Sequence, residues 1–560
     1  MSISNAQIAD LLRRYASVLV LEGADRFKIA AYRRAADTLE TLTDDVASLA
    51  AHGEDLKQFP AIGPAISVMI EQIVESGELP RIKKSLGKLQ PGLAELAAKS
   101  ALDPKKVKRV YKKLAIGTLK ELQERLDRGE IREVFGTSLE FHIRQGLEDR
   151  PRILLWAALK LVPTIEAQLR ECGATTVAET GSLRRRKDTI GDLGFIVTGK
   201  TASTIFERFA TFANVHLEQS SNKNEMRFQL SAGRCVNLTW TTPERLGLTL
   251  LITTGSISHI DALKSRAAKL KVTLTSKSLG RNACEESSLY KKLRLRFIEP
   301  ELRESRGELE AAAEDKLPEL VQLKDLRGDL HMHTDESDGA DSLLAMAEAA
   351  MKRGYEYIAI TDHSQSLKIT NGLTERRLFQ QIKAIDKLNA KLDRLTILKS
   401  AEVDILEDGR LDYSNAALKE LDLTICSIHS RFALNKAQQT ERIVRAMDNP
   451  YFNILGHATG RLLLKREGYG LDAERIMDHA RKSGCFFEIN SSPDRLDLSD
   501  EHAKMAKDRG IKIAINTDAH SVRELGFITA GINQGRRGWL SRTDVLNTFK
   551  LNKLRALLRR

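Results

Sequence analysis

His331 and His333 stand two residues apart at the end of the run that begins at Gly328. A strand's period of two puts both imidazoles on one face. The pattern recurs downstream: Asp338 in the following polar stretch, His363 ending Tyr357–His363, Glu402 after the apolar run Leu395–Leu398, His429 ending Leu423–His429, and His457 ending Ile454–His457. Asp518 and His520 then close Ile513–His520, again two residues apart. One such histidine is commonly a satisfied core residue. Six imidazoles and three carboxylates at successive strand ends are instead the donor set of a multinuclear site for divalent cations. Such ions activate water and neutralise phosphate charge, so the chemistry predicted is phosphoester hydrolysis. His479 and His502 fall within predicted helices and are assigned no role.

The elements that position these residues alternate regularly after Lys324: apolar strand, polar loop, amphipathic helix. Upstream the character changes. The first 150 residues read as helices, with Ile8, Leu11, Leu12 and Tyr15, then Ile66, Met69, Ile70 and Ile73, at helical spacing. From 151 to 315 the pattern is mixed, a helix over Ile153–Cys172 followed by strand-like runs at Thr189–Val197, Met226–Leu230 and Cys235–Trp240. A chain of 560 residues holds three or four domains. The domains expected are a helical 1–80 with a hairpin motif, a helical 81–150, an α+β 151–241, a 242–315 unit, a linker 316–325 and an α/β 326–560.

Composition narrows the function classes. With 42% apolar and 29% charged residues the chain is globular, and no uninterrupted apolar run of membrane-spanning length is present. Neither a secretory signal nor an anchor is legible near the N-terminus, so a cytoplasmic location is expected. The five cysteines are scattered without CxxC spacing, which excludes a thiolate zinc site and suits a reducing compartment. A net charge of +12 favours a polyanionic partner.

The segments DLHMHTDESDG, YIAITDHS, SAEVDILEDG, ICSIHSRF, ILGHATGRLL, FFEINSSPDRLDL and INTDAHS resemble the PHP (polymerase and histidinol phosphatase) domain in the version fused to bacterial family X DNA polymerases. The resemblance implies a distorted (β/α)7 barrel with up to three Mn²⁺ or Zn²⁺ ions. His331, His333, Glu402 and Asp518 would hold one, Glu402 would bridge to a second on His429 and His457, and Asp338, His363 and His520 would hold the third. Glu402, His331, His333 and Asp518 are also the expected catalytic set. Arg461 and Arg495 are candidates for gripping phosphate.

Phe59–Ile66 (FPAIGPAI) resembles a helix-hairpin-helix turn, in which backbone N–H groups receive a DNA phosphate; Ala61, Gly63 and Ala65 are its contact positions, and Ala61 replaces the family's first glycine. Leu102–Val107 and Phe135–Ser138 look like eroded further copies. Lys83, Lys84 and Lys88 lie near the place of the family's lyase lysine without a match.

Gly181, Ser182 and Arg185, followed by Asp192, resemble the palm signature of the nucleotidyltransferases, with a thumb to follow. Here the sequence departs from the family. The second aspartate position is Gly194, the third is Asn237, and Ile252 and Thr253 replace the aromatic pair before the TGS turn. Two cations need carboxylates against their mutual repulsion, which puts Mg²⁺ binding in question and makes the palm degenerate. Gly194–Thr201 also spells a Walker A pattern, but its Phe, Ile and Val belong on a strand rather than in a phosphate loop. The expected function is a metal-dependent 3′–5′ exonuclease or end-processing phosphodiesterase of DNA repair, acting on gapped DNA or free 3′ ends, with synthesis lost. The alternatives are a working gap-filling polymerase with exonuclease, and a non-catalytic DNA-end scaffold.

Overall fold

The computed structural model describes residues 3, 5–42, 46–79, 82, 84, 104–116, 118–136, 139–140, 143–144, 147, 152–212, 215–230, 234–275 and 279–558. Lys83, Lys88, Leu102 and Ser138 lie outside them. Among the described residues no helix is long and apolar enough to cross a membrane.

The N-terminal part is helical. Asn5–Glu22 packs on Arg26–Thr41, whose first turn is capped by the Asp25 carboxylate accepting from the Phe27 N–H at 2.8 Å. The expected periodic residues Ile8, Leu12, Ile66, Met69, Ile70 and Ile73 meet in one core.

The central sheet has the order β1-β2-β5-β4-β3, from β1 (Ala174–Thr180), β2 (Asp192–Gly199), β3 (Val215–Asn222), β4 (Glu225–Leu230) and β5 (Arg234–Trp240). The helix Leu155–Glu171 covers it, burying Leu155, Ala158, Val162, Ile165 and Leu169 at helical spacing against Phe195, Val197 and Phe228. β1 and β3 are additions to the strands read from the sequence. The Walker-like segment lies on β2, as its apolar residues require.

Eight short strands follow: β6 (Gly328–Asp329), β7 (Tyr357–Ile360), β8 (Thr396–Lys399), β9 (Glu402–Asp404), β10 (Ile425–Ser427), β11 (Ile454–Leu455), β12 (Phe486–Asn490) and β13 (Ile513–Asn516). All neighbours are parallel, in the orders β8-β7-β6 and β9-β10-β11-β12-β13. Bridges Met332↔Ala519 and His363↔Glu402 join the two sheets; β8 and β9 lie successively against β7 and the segment after it, so the eight strands fill seven places around a ring. They are buried on both faces, which explains their continuous Ile, Val, Leu and Ala runs. The intervening helices start at side-chain caps, Ser342, Thr374, Ser414, Asn435, Asp472 and Ser499.

The ring is tied to the central domain by charge. Buried Arg537 donates to the Arg185 carbonyl at 2.8 Å, to Glu304 at 3.0 Å and to Asp500 at 2.6 Å, while Arg185 meets the same Glu304 at 2.9 Å. Trp539 joins the core of Leu248, Leu293 and Leu320. The expected linker is packed rather than loose: Val321 donates to the Leu540 carbonyl at 2.9 Å and is fully buried.

Candidate metal centre

The donors project from the segments just past the C-terminal ends of the parallel strands. The strands are shorter than the sequence pattern suggests, so His331, His333, His363, His429, His457, Asp518 and His520 sit on the first residues of loops, and Glu402 opens β9. His457 and Asp518 hold φ of 23° and 55°, backbone positions unfavourable for a side chain. Such strain persists where surrounding packing fixes it, commonly at functional sites.

Glu402 is the hub. Its Oε1 lies 2.8 Å from His457 Nε2 and 3.3 Å from His429 Nε2. Its Oε2 lies 2.9 Å from His363 Nδ1, 3.5 Å from His331 Nε2 and 3.6 Å from His333 Nε2. Asp518 Oδ1 lies 3.1 Å from His333 Nε2 and 3.3 Å from His331 Nε2. Asp338 reaches His520 Nε2 at 3.4 Å and His363 Nε2 at 3.5 Å. All nine sequence-predicted positions therefore converge.

Three sets have donor atoms within 4.8 Å of one another: His331, His333, Glu402 and Asp518; His333, Asp338, His363 and His520; and His363, Glu402 and His429. The first is the expected set unchanged. The second gains His333. In the third His363 joins Glu402 and His429, while His457 stands by through its contact with Glu402.

The donor chemistry fits divalent cations. His331 Nε2, His333 Nδ1 and His457 Nδ1 are buried without a hydrogen-bond partner, which is costly unless something else satisfies them. The protonation pattern points the same way. Burial opposes charge on His331, yet Glu488, Asp518 and Glu402 hold its pKa well above the ordinary imidazole value. Burial, with His520 and His363 nearby, pushes His333 down to about 3. Burial would raise the Glu402 carboxyl, but His429, His363 and His331 keep it well below the carboxylate range. Imidazole protons balance the carboxylates here, and divalent cations take over that role when they bind.

An outer layer orients the donors. Glu488 accepts from His331 Nδ1 at 2.7 Å and Asp404 from His429 Nδ1 at 3.0 Å, leaving each Nε2 directed inward. Asn490 donates to Asp518 Oδ2 at 2.9 Å. The sequence reading missed all three. For Glu488 and Asn490 the available signal was two polar residues, two positions apart, in the buried strand Phe486–Asn490. The two phosphate-gripping candidates part company. Arg495 Nε is 3.8 Å from Asp518 Oδ2, whereas Arg461 bonds the Arg495 carbonyl at 3.0 Å and pairs with Asp188 of the central domain at 3.3 Å.

In the central sheet the register sets Asp192 opposite Cys235 and Gly194 opposite Asn237, with Arg227 of β4 opposite Asn237 on its other side. Arg227 Nη2 donates to Asp192 Oδ1 at 2.8 Å. A guanidinium thus neutralises the remaining carboxylate, and the residues do not fit a pair of Mg²⁺ ions. A Cβ at Gly194 would lie 2.5 Å from Thr180 Oγ1. Gly181 and Ser182 open the short helix Gly181–Arg184, but Arg185 is buried and bonded to Glu304 and the Thr254 carbonyl.

At the hairpin, Ala61 has φ 63°, the conformation a glycine would take freely. Gly63 is the N-cap of Pro64–Ser76 without a side-chain cap; Pro64 has no N–H and the Ile66 and Ser67 N–H groups return to the Gly63 carbonyl, which leaves the Ala65 N–H without a partner in its own helix. A groove of about 730 Å³ beside them is lined by Lys28, Tyr32, Lys57 and Phe59. Of the eroded copies, Phe135 ends a helix at Gly136, and Pro104 opens the helix Pro104–Leu114 as Pro64 opens Pro64–Ser76.

Two family descriptions match the chain, "Helix-hairpin-helix domain" over residues 3–79 and "PHP domain" over 329–492. The "DNA polymerase/3'-5' exonuclease PolX" of Bacillus subtilis is 34% identical over 569 aligned positions, covering 99% of each chain. The chain belongs to the bacterial PolX family, family X DNA polymerases with a C-terminal PHP domain. The PHP part of this PolX-family chain is also similar to smaller proteins. A "Probable phosphatase" of Thermoanaerobacter sp. (strain X514) is 32% identical over 231 residues, 39% of this chain and 89% of its own. Another, from Caldanaerobacter subterraneus, is 31% identical over 209 residues, 35% and 78% respectively.

Proposed function

We propose that this PolX-family chain is a metal-dependent 3′–5′ exonuclease or DNA-end-processing phosphodiesterase of DNA repair whose polymerase centre is vacant. The convergence of nine donors in one centre, five imidazoles of them against Glu402, beside a single Asp192 already paired with Arg227, carries the reading. In it the C-terminal ring is a distorted (β/α)7 barrel, the 151–241 sheet a nucleotidyltransferase-like palm and 242–315 a thumb.

His331, His333, Glu402 and Asp518 would hold one cation, Glu402 with His429 and His457 a second, and Asp338, His363 and His520 a third. Mn²⁺ or Zn²⁺ bound there supplies an activated water and neutralises the phosphodiester charge. Glu488 and Asp404 keep the His331 and His429 tautomers fixed. Arg495 stands near enough to Asp518 to meet a phosphate oxygen. The hairpin at Ala61, Gly63 and Ala65 receives a DNA phosphate on backbone N–H groups and aligns the substrate without reading its bases.

The printed name of the Bacillus subtilis relative favours a second reading, a gap-filling polymerase with exonuclease. Two assays run side by side decide between them: extension of a gapped duplex with dNTPs, and degradation of a 3′-labelled strand with Mn²⁺. Degradation without extension is expected; template-directed extension overturns the vacancy of the palm, and absence of degradation overturns the nuclease.

A further inference from the structure

Beside the metal centre, the loops that follow β10, β11 and β12 form a rim on which Arg431, Arg461, Lys465 and Arg495 each meet a carboxylate, while Arg466 meets a carbonyl oxygen. Phe432 lies three residues past His429. The Tyr469 ring stacks with it, centroids 5.9 Å apart and planes at 27°. The Arg466 guanidinium lies over the same Phe432 ring with its carbon 4.6 Å from the centroid. The three side chains make one stacked unit, with Tyr469 fastened by its hydroxyl donating to the Ala458 carbonyl at 2.7 Å.

Arg466 is held in plane by Nε and Nη2, which donate to the Gly460 carbonyl at 3.2 and 2.7 Å. Gly460, three residues after His457, has φ 61°, and a Cβ there would come within 2.6 Å of the Tyr469 ring. The turn therefore requires glycine to let the stack close. A guanidinium has five N–H donors, so a carbonyl contact of this kind leaves Nη1 and its charge available. Burial first, and the charge of Arg495 second, hold the Arg466 pKa below its ordinary value. The neighbouring acid is already engaged: Asp494 pairs with Lys465 at 2.8 Å. Arg466, clamped flat on residues that follow His429 and His457, and Arg495, 3.8 Å from Asp518, set two guanidinium groups beside the metal centre, where an anion can meet both.

We propose that Arg466, clamped on Phe432 and Tyr469, forms with Arg495 a subsite for a backbone phosphate of the strand being degraded. This rests on the nuclease reading, and it adds what distinguishes a polynucleotide from a lone phosphoester: a second phosphate bound next to the one cleaved. Arg466 is thereby a binding residue, and Phe432 and Tyr469 position it.

The test uses the full chain and two substrates, 3′-labelled oligo(dT) and bis(p-nitrophenyl) phosphate, which has a single phosphodiester. For Arg466→Ala the loss of kcat/KM on oligo(dT), mainly through KM, should exceed the loss on the small diester by about tenfold, as for removal of a charge-assisted hydrogen bond. Equal losses on both substrates, or none on either, overturn the subsite. A second measurement does not need turnover. Oligo(dT) binding without metal should lose about 0.7 from its salt slope in Arg466→Ala. Arg466→Lys should restore that slope but only part of the KM, because an ammonium lacks the planar fork and stacks poorly. If the unaltered protein degrades no DNA, the nuclease reading falls, while an unchanged salt slope in Arg466→Ala overturns the subsite separately.

Discussion

Two strand-end sites in one chain have met opposite fates. At the C-terminal ring, carboxylates and imidazoles crowd around Glu402 with three buried imidazole nitrogens left without a hydrogen bond, a concentration of donors that is costly unless cations fill it. In the central sheet, Gly194 and Asn237 stand opposite each other across β2 and β5, and Arg227 closes on Asp192. The first site offsets its carboxylates with imidazole protons, which a divalent cation can displace. The second carries a permanent cation in a side chain. What separates them is whether the neutralising charge can leave, and strand-end placement alone does not reveal that.

The largest effect should come from the hub of the first site. Glu402→Ala removes an oxygen pair shared by five imidazoles, and 3′-end degradation should fall by at least about 10³-fold while DNA binding persists. A labelled-strand assay giving unaltered rates would remove Glu402 from the centre.

Next, Glu488→Gln leaves every donor in place but weakens the partner of His331 Nδ1. Metal affinity should drop about 10- to 100-fold. Titrating Mn²⁺ into the metal-stripped full chain checks this; an unchanged affinity makes Glu488 a packing residue only.

A smaller effect concerns the substrate path. Removing residues 1–150 takes away the hairpin N–H groups and the Lys28 and Lys57 groove. The slope of log affinity for gapped duplex against log salt should flatten by about 0.9 for each DNA phosphate that this region neutralises. An identical slope puts the DNA footprint elsewhere.

The smallest effects belong to the palm. Asp192→Ala should leave dNTP incorporation at background. Gly194→Asp with Asn237→Asp should not by itself restore synthesis, because the new Cβ meets Thr180 Oγ1 and Arg227 still pairs with Asp192. Adding Thr180→Ala and Arg227→Gln should permit Mn²⁺ binding and trace extension. Strong extension by the unaltered protein that vanishes in Asp192→Ala breaks the comparison, since carboxylates outside Gly194 and Asn237 would then complete the site.

The donors of the metal centre were legible because a buried strand restricts what its ends can carry. A histidine or carboxylate closing an apolar run stands out against Ile, Val and Leu, and repetition at six strand ends removes coincidence. The helical start, the covering helix and Walker-like strand of the central sheet, and the missing palm carboxylates were readable for the same local reasons: apolar period, and residue type at a fixed position. Ala61 in place of glycine was also visible, although only the backbone reveals that it still takes the glycine conformation.

What tertiary structure decided lies between segments far apart in sequence. His363 contacts both Asp338 and Glu402, and His333 is shared between two donor sets, because neighbouring loops converge over one end of the ring. Arg461 was a phosphate candidate by type, but Asp188, 273 positions upstream, claims it. Arg227 carried no signal in the sequence, since its role exists only through pairing across β4, β5 and β2. Residue type and period are local properties and fix which chemistry a chain can do. Charge neutralisation depends on distance in space, so only the folded chain determines which of its acids remain free to hold a metal.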